Sequence, residues 1–379
     1  LPTITLGPGV SGVVKVYCSS LTGSGTTPVV VSKSIVTFAS GGATLEKYME
    51  VTLRRRSLFV NGLVAKDGIT WVGHPNADSW NSDLDNDPAT AATPYSAAVQ
   101  LAGCIVGAVG GNITLGSGGN VYGYAKTGAT GSTSGGSVHG LGTTTNDTSR
   151  ISNDFSANFP TVTTPTGVTV NNIVSGSVPT DFPLTTHNIN TADGKYYYNF
   201  GAGANISDTT TIGNAMPNKK VVMIMNNHQN VDAIAFAGTK SLTVKTGSTL
   251  TVYTNGNITV TGNGMMNGNT PGDNPCSSLI VYGTTAAPST QEIKVGGNGQ
   301  LYAAIYAPNG NLELKGGGSS GMVLGSMVAK TITMNGGTDF HYDEALARLN
   351  TGNPFGIVKW RELQSAEERA TLYPTQLNF

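Results

Sequence analysis

Three apolar-polar-apolar triplets, Ile293-Lys-Val295, Leu312-Glu-Leu314 and Ile332-Thr-Met334, start 19 and then 20 residues apart. Each runs into glycine: Gly296-Gly297, Gly316-Gly317-Gly318 and Gly336-Gly337. A short alternating strand repeated at a nearly fixed step is how a coil that stacks on copies of itself looks in sequence. At about 3.3 Å per residue the step supplies roughly 65 Å of chain, enough for one closed coil of two or three short strands and their turns. The stretch from Ile293 to Met334 therefore predicts a β-solenoid, which offers an extended surface or scaffold more than a catalytic pocket.

The same pattern returns at Ile113-Thr-Leu115, followed by Gly116, Gly118-Gly119 and Val121-Tyr122. Ile293-Lys-Val295 is likewise followed by Gly296-Gly297, Gly299 and Leu301-Tyr302, with the second apolar position eight residues after the first in both copies. Residues from about 103 to 125 thus read as solenoid coil, and the N-terminal coils are expected to join the same stack. Leu242-Thr-Val244, Leu250-Thr-Val252 and Ile258-Thr-Val260 step by eight, which suits successive strands within coils. Tyr196–Phe200 and Lys220–Met225 read as buried strands, and Thr127–Thr186 as Gly/Ser/Thr/Asn-rich loops or irregular coils.

From Ile4 to Val72, β-branched and aromatic runs are punctuated by Gly, Ser and Pro, a strand signature. Tyr48–Leu53 alternates as a half-buried antiparallel strand, and Arg54-Arg55-Arg56 reads as its solvated end. Ser57–Ala65 fits a short helix or a buried strand, because periodicity does not separate the two. An acidic, proline-bearing loop covers Asn76–Pro94. Asp343–Leu349 has an acidic start with Gly352 as its stop, and Ser365-Ala-Glu-Glu368 is a capping box, so two short C-terminal helices are expected to cap the stack. The expected class is all-β: an N-terminal antiparallel β region (1–75), an acidic linker (76–102), a β-solenoid (103–350) and a C-terminal cap and tail (351–379).

Composition narrows the function. The 379 residues include 51 glycines, only 11% are charged, and the net charge is −1. A disordered chain poor in apolar residues normally carries a high net charge. Here the polar surface is instead Ser, Thr, Asn and Gly, as in extracellular all-β proteins. There is no basic footprint for nucleic acid and no polybasic run for an anionic membrane. Near-zero net charge also permits self-association. No window holds the ~18–20 apolar residues that cross a bilayer. Leu1-Pro-Thr-Ile-Thr5 has neither section of a signal peptide, so the chain reads as already processed or truncated. Cys18, Cys104 and Cys276 lack CxxC spacing, allow one bridge at most, and exclude a zinc site built from cysteines alone.

The sharpest cluster of potential ligands is Asp83, Asp85 and Asp87, whose alternating carboxylates suit a loop wrapped around one Ca2+. Pro88 stands where an EF-hand needs glycine and Pro94 where it needs a bidentate Glu, so this is not an EF-hand; the alternative is a solvated acidic turn. In Asp339-Phe-His341-Tyr-Asp343-Glu344, a His beside carboxylates suits a metal or an acid–base pair. The structural reading is favoured there, with Asp343 as an N-cap and His341 bonded to the coil end. His74, His139, His187 and His228 are isolated, no HExxH, GxSxG or P-loop is present, and no catalytic residue or organic cofactor is expected. The sequons at Asn112, Asn146, Asn205 and Asn257 mark surface turns.

Tyr302-Ala-Ala-Ile-Tyr-Ala-Pro-Asn309, Gly321–Gly337 and Phe340-His-Tyr-Asp-Glu-Ala-Leu346 resemble the C-terminal signature of a known group: the β-solenoid domain of PilX-type, type IV pilus-associated surface proteins of bacteria. Asp78-Ser-Trp-Asn-Ser82 resembles the element that precedes the solenoid in those proteins, and Val358-Lys-Trp-Arg-Glu-Leu363 is similar to versions in Verrucomicrobia-like bacteria. The resemblance spans roughly residues 45–363 and is most specific over 290–346. It implies a non-enzymatic, extracellular or cell-surface protein, pilus-associated, adhesive or filament-forming, with further copies or pilus subunits as partners. Such proteins begin with a hydrophobic anchoring helix, which this sequence does not contain, and have no established catalytic residues to carry over. Two other readings stand beside it. One is a carbohydrate-binding or carbohydrate-active β-helix using Trp71, Trp80 and Tyr302 along a groove. The other is a calcium-dependent assembly protein controlled by the Asp83/Asp85/Asp87 loop.

Overall fold

In the computed structural model the described residues are 3–19, 28–55, 57–87, 90–261, 263–268, 273–296, 300–316, 322–349, 355–373 and 375–376. Gly297, Gly299, Gly317, Gly318 and Gly321, together with Arg56, Pro88 and Gly352, lie outside them, as do the side chains of Arg54 and Arg55. The chain divides into two units, Leu58–Leu349 and a smaller one made of Leu1–Ser57 with Asn350–Phe379.

The larger unit is a parallel β-solenoid whose coils carry short strands on three faces. The triplets that predicted it stack in register: Ile258 pairs with Ile293, Ile293 with Leu312, and Leu312 with Ile332. Their neighbours Val260, Val295, Leu314 and Met334 do the same. The step-of-eight triplets lie one on each face, since Leu242, Leu250 and Ile258 pair with Met265, Leu279 and Ile293 respectively. Alternate side chains point inward along a strand, so each face contributes a ladder of Val, Ile, Leu, Met and aromatic residues to one continuous interior. At the corners, side chains satisfy backbone groups that turn away from the ladders. Asn255 donates to Asn226 O at 2.7 Å and accepts from His228 N at 3.0 Å.

The order of coils in space is not the order in sequence. On the first face the inward ladder runs Asn171–Tyr198–Met223–Val252–Val281–Ile305–Met327, then Leu63–Val106–Ala125–Ile151. The chain enters this unit in mid-stack, coils out to one end at Ile151, and crosses to the opposite end at Val170. From there it coils back until Met327–Gly336 pairs with Leu63–Gly73 and Asp339–Asp343 pairs with Asn76–Trp80. Ten strand spacings of about 4.8 Å separate the end levels, about 48 Å in all. The connecting segment 153–169 has no regular structure along its middle and runs down the outer side of the first face. Phe155, Phe159 and Val162 pack on the cluster containing Tyr306, Val64 and Val328. Tyr306 Oη donates to Pro160 O (2.8 Å), Asn226 Nδ2 to Thr164 Oγ1 (2.7 Å), and Val168 packs against Tyr197, Val222 and Ile224.

This topology redraws the divisions read from sequence. Residues 58–75, grouped there with the N-terminal β region, are a turn followed by the strand Leu63–Gly73 inside the stack; Ser57–Ala65 is not a helix. The acidic linker begins with a buried strand, Asn76–Trp80. Asp343–Leu349 does not cap an end. It follows a strand flanked on both sides by others, and forms a 3-10 turn over Glu344–Arg348. At the Ile151 end, closure comes from loop 140–150: Val138 N donates to Asn146 Oδ1 (2.9 Å) and Asp147 N to Val138 O (2.7 Å).

The smaller unit is a five-stranded antiparallel sheet in the order Thr3–Gly7, Val10–Cys18, Val29–Phe38, Thr44–Arg55 and Phe355–Glu362. One face packs Val29, Val31 and Tyr48 against Leu363 and Tyr373, which flank the helix Ala366–Leu372. The expected capping box forms there, with Glu368 N donating to Ser365 Oγ at 3.0 Å. Arg55 pairs with Phe355, so the larger unit is inserted between two adjacent antiparallel strands of this sheet. Glu50 is buried and accepts two bonds from Arg361 (2.8 and 3.1 Å) and one from Tyr373 Oη (2.6 Å). The Arg361 guanidinium holds the Glu50 carboxyl below the usual carboxylate range.

Candidate functional site

The densest group of chemistry-bearing side chains lies at the mid-stack seam, where Asp339–Asp343 pairs with Asn76–Trp80. The register sets His341 beside Asp78, Tyr342 beside Ser79 and Asp343 beside Trp80. Two segments 263 residues apart, both singled out in the sequence for other reasons, are thus adjacent strands.

Asp78 sits at the centre and is 4% exposed. A carboxylate only accepts. Its Oδ1 takes a bond from His341 Nδ1 at 2.6 Å, and its Oδ2 takes bonds from Tyr95 Oη at 2.7 Å and Gln100 Nε2 at 2.5 Å. The Tyr95 ring stacks on the His341 imidazole with centroids 3.6 Å apart and meets Trp80 edge-on at 5.6 Å. Burial, helped by the Asp78 carboxylate, pushes the Tyr95 hydroxyl far above its usual range, so it serves here as a donor. Asp343, fully buried, accepts from Ser82 N (3.1 Å), Ser82 Oγ (2.7 Å) and Ala345 N (3.1 Å), the last being its expected N-cap bond. Burial raises its carboxyl above the ordinary value despite those bonds. Ser79 Oγ donates to Glu344 Oε1 (2.7 Å) and accepts from Gly103 N (2.8 Å). Tyr342 Oη donates to Phe59 O at 3.0 Å.

Each strong acceptor named here is met by donors from the opposing segment or from loop 92–103. The arrangement fixes strand register, and the His–Asp pair is buried beneath the stacked Tyr95 ring. A cavity of about 60 Å3 beside it is lined by Trp80, Ser82, Tyr95, Cys276 and Tyr302. That is room for a water or two, far below the ~300 Å3 and upward of small-molecule sites. A polar recess of about 330 Å3 lies toward the Val170 end of the stack, beside Ser175, Asn205, Ser207 and Asp208. Asp208 there is ion-paired to Lys240.

In the Asp83/Asp85/Asp87 loop the first two carboxylates are engaged by neighbouring groups. Asp83 Oδ2 pairs with Arg348 Nη2 at 3.2 Å, and the same nitrogen donates to Asp83 O at 2.7 Å. Asp85 Oδ1 accepts from Asp87 N and Thr90 Oγ1, each at 3.1 Å, closing its own turn and holding its carboxyl low. Among the described residues no group of three or more His, Cys, Asp or Glu side chains is placed to hold a metal ion.

The aromatics expected along a groove are interior instead. Trp71 and Trp80 are 2% exposed and Tyr302 is 5% exposed. Of the isolated histidines, His228 is buried with Nε2 against Ala204 O (2.9 Å), and His139 lies edge-on to Tyr122. His187 meets Tyr198 Oη at 2.9 Å, and burial lowers its pKa. All three cysteines are free thiols, Cys18 exposed and the other two buried, with burial pushing the Cys104 and Cys276 thiols well above their usual value. Sequence reading missed Tyr95, Gln100 and Ser79 as partners of the seam. The available signal was a strand-like Asn76–Trp80 carrying a carboxylate that needed a buried partner.

Residues 169–349 match a family model described as a domain of unknown function, DUF7305. The match begins at the first coil after the crossing segment and ends where the larger unit ends. No curated protein matches the chain. Among solved structures, the competence-associated pilin ComZ from Thermus thermophilus aligns over 94% of this chain and 84% of its own, at 10% identity and a TM-score of 0.28. Similarity at that level argues neither fold nor role. No helix among the described residues is long and apolar enough to cross a membrane.

Proposed function

We propose that the chain is a non-enzymatic surface protein of bacteria, associated with pili, in which the solenoid is a rigid outward-facing body. The observation that carries this reading is the seam. The carboxylates and histidine with the best geometry for chemistry are spent on joining two halves of one stack, beneath a stacked tyrosine. The sequence likeness to PilX-type, pilus-associated proteins supports the same reading. Its two most specific elements, Asp78–Ser82 and Phe340–Leu346, are partners in one ladder, as expected of residues kept together for assembly of the fold. The low charge and Ser/Thr/Asn/Gly surface fit an extracellular setting.

Carbohydrate recognition along the first face is the weaker reading, because segment 153–169 covers the aromatic strip around Tyr306 and Tyr197. Growth of a fibre by stacking coil on coil is also disfavoured at the Ile151 end, where Asn146 and Asp147 take both backbone groups of Val138. Immunogold labelling of intact producing cells with antibody to residues 58–349 tests the proposal. Label on the surface and on pili is the expected result; label only after permeabilisation overturns it. Release of reducing ends from a polysaccharide panel overturns the non-enzymatic part.

A further inference from the structure

A sheet in a globular unit buries both faces or leaves one polar. The five-stranded sheet of the smaller unit does neither. Its first face packs Val29, Val31 and Tyr48 against Leu363 and Tyr373. On the second face, the pairing Val30↔Val51↔Trp360 sets a row of apolar side chains across the strands, and Val16↔Ser32↔Met49 places Val16 and Met49 on the same side with Ser32 between them. Leu6 lies over Gly12 on this same side, 3.2 Å from where a Cβ would stand. Val16, Leu45, Ile357 and Trp360 on it are each more than half exposed, Trp360 at 67%. Monomers rarely expose contiguous apolar patches of this kind unless something binds there.

We propose that this face is the docking surface for a second copy of the chain, sheet against sheet about a two-fold axis. Area is the first argument. Five strands at about 4.8 Å spacing, of 5, 9, 10, 12 and 8 residues at about 3.3 Å each, give a mean footprint of roughly 24 by 30 Å. That is about 700 Å2 per copy and about 1,400 Å2 for the pair, inside the ~1,200–2,000 Å2 of stable specific interfaces. Charge is the second. Lys47 and Glu362 stand on this face and pair with each other at 3.4 Å, so a copy docking here meets no unpaired charge from them. A partner of strong net charge gains nothing from such a face, whereas an identical, nearly neutral one matches it. The chain's net charge of −1 adds no long-range repulsion. Trp360 is the natural anchor, since isologous interfaces concentrate their energy in central aromatics.

The test is sedimentation of the whole chain, under reductant so that exposed Cys18 cannot form a bridge, between about 1 and 100 µM. Acrylamide quenching is read in parallel. With Trp71 and Trp80 buried, the quenchable emission reports on Trp360. The expected result is a mass that doubles with concentration while quenching falls several-fold. Trp360→Glu and Val16→Lys, each with unchanged far-UV circular dichroism, should be monomeric throughout, while Leu84→Glu on the larger unit should dimerise as the parent does. Three results overturn the proposal: a parent that stays monomeric with Trp360 open to quencher, a monomer in which Trp360 is already protected by another segment, or a dimer unaffected by both substitutions.

Discussion

Replacing Asp78 by alanine removes the acceptor of three donors, His341 Nδ1, Tyr95 Oη and Gln100 Nε2, at a point where Asp78 and His341 are 4% and 7% exposed. A hydrogen bond to a charged group contributes about 1.5–3 kcal/mol, and stranding a buried donor costs about 1–3 kcal/mol. The terms are not additive, because Tyr95 and Gln100 lie on the loop side and gain water if the loop loosens, whereas His341 is held in a strand. A net loss of about 3–5 kcal/mol follows, the range for breaking a buried pair from one side. At about 2 °C per kcal/mol, the low end of the scale and suited to a unit this large, the solenoid transition should fall by roughly 6–10 °C. Asp78→Asn keeps an acceptor for one donor and should cost less than half as much. Thermal melts followed by circular dichroism and tryptophan fluorescence read both variants. Adding His341→Phe to Asp78→Ala should recover part of the loss, since the stranded imidazole is then gone. A shift under 2 °C for Asp78→Ala, or strict additivity in the double variant, would refute the reasoning that this network locks the seam.

Gly123→Ala puts a Cβ 2.0 Å from Cys104 O of the neighbouring coil, and neither backbone can retreat, so a loss of about 3 kcal/mol or more in a urea titration is expected. Acid should separate the two units in calorimetry. Glu50 has a lowered folded pKa, so its stabilisation is present above the unfolded value near ~4.3 and is lost as pH falls through the folded value, weakening the small unit. Asp343 has a raised folded pKa, so its contribution is fully present below the unfolded value and is lost as pH rises through the folded one; Asp343→Asn should flatten that part of the larger unit's profile. Deleting Thr161–Pro165 leaves thirteen Cα steps between Ser152 and Val170, at most about 47 Å of chain for an axial rise of about 48 Å. Limited proteolysis should then release the 58–152 segment from the stack, while a five-residue insertion at the same place leaves the fold intact.

The coil pattern was legible because it is local. Ile293, Leu312 and Ile332 recur at steps of 19 and 20, and they are direct ladder partners. The echo at Ile113 also lies in the same ladder, but one coil stood hidden between. Ile69-Thr-Trp71 pairs with both Ile332 and Ile113, and its tryptophan hides the aliphatic signature. Asn76–Trp80 was read as linker for a related reason. Asp78 and Ser79 look like solvated loop residues until His341 and Glu344 are placed beside them. The seam itself left no trace in periodicity, because pairing Leu63 with Met327 is a contact between segments more than 250 residues apart. The DSWNS and FHYDEAL elements were each visible, yet nothing in either sequence says that they face one another.

A stack built in this order has a physical problem that a simple solenoid lacks. In an uninterrupted β-helix the covalent chain carries each coil onto the next, so neighbouring coils meet at very high effective concentration. Here the coil ending at Asp343 and the coil beginning at Leu63 are not consecutive. Their shared ladder is a docking event between two segments, with the entropy cost of any long loop closure. Two features answer that cost. Segment 153–169 ties the far ends of the two halves together, its eighteen Cα steps reaching at most about 65 Å across a rise of about 48 Å, which raises the effective concentration of one half for the other. The polar seam then supplies what apolar ladders do not. Shifting the pairing by one coil would still set Val, Ile and Leu against one another, but it would strand Asp78, His341, Ser79 and Glu344 in a dry interior. Apolar contacts make the halves adhere, and the buried charges decide where. That division of labour explains why titratable groups this well arranged are buried in a seam between strands.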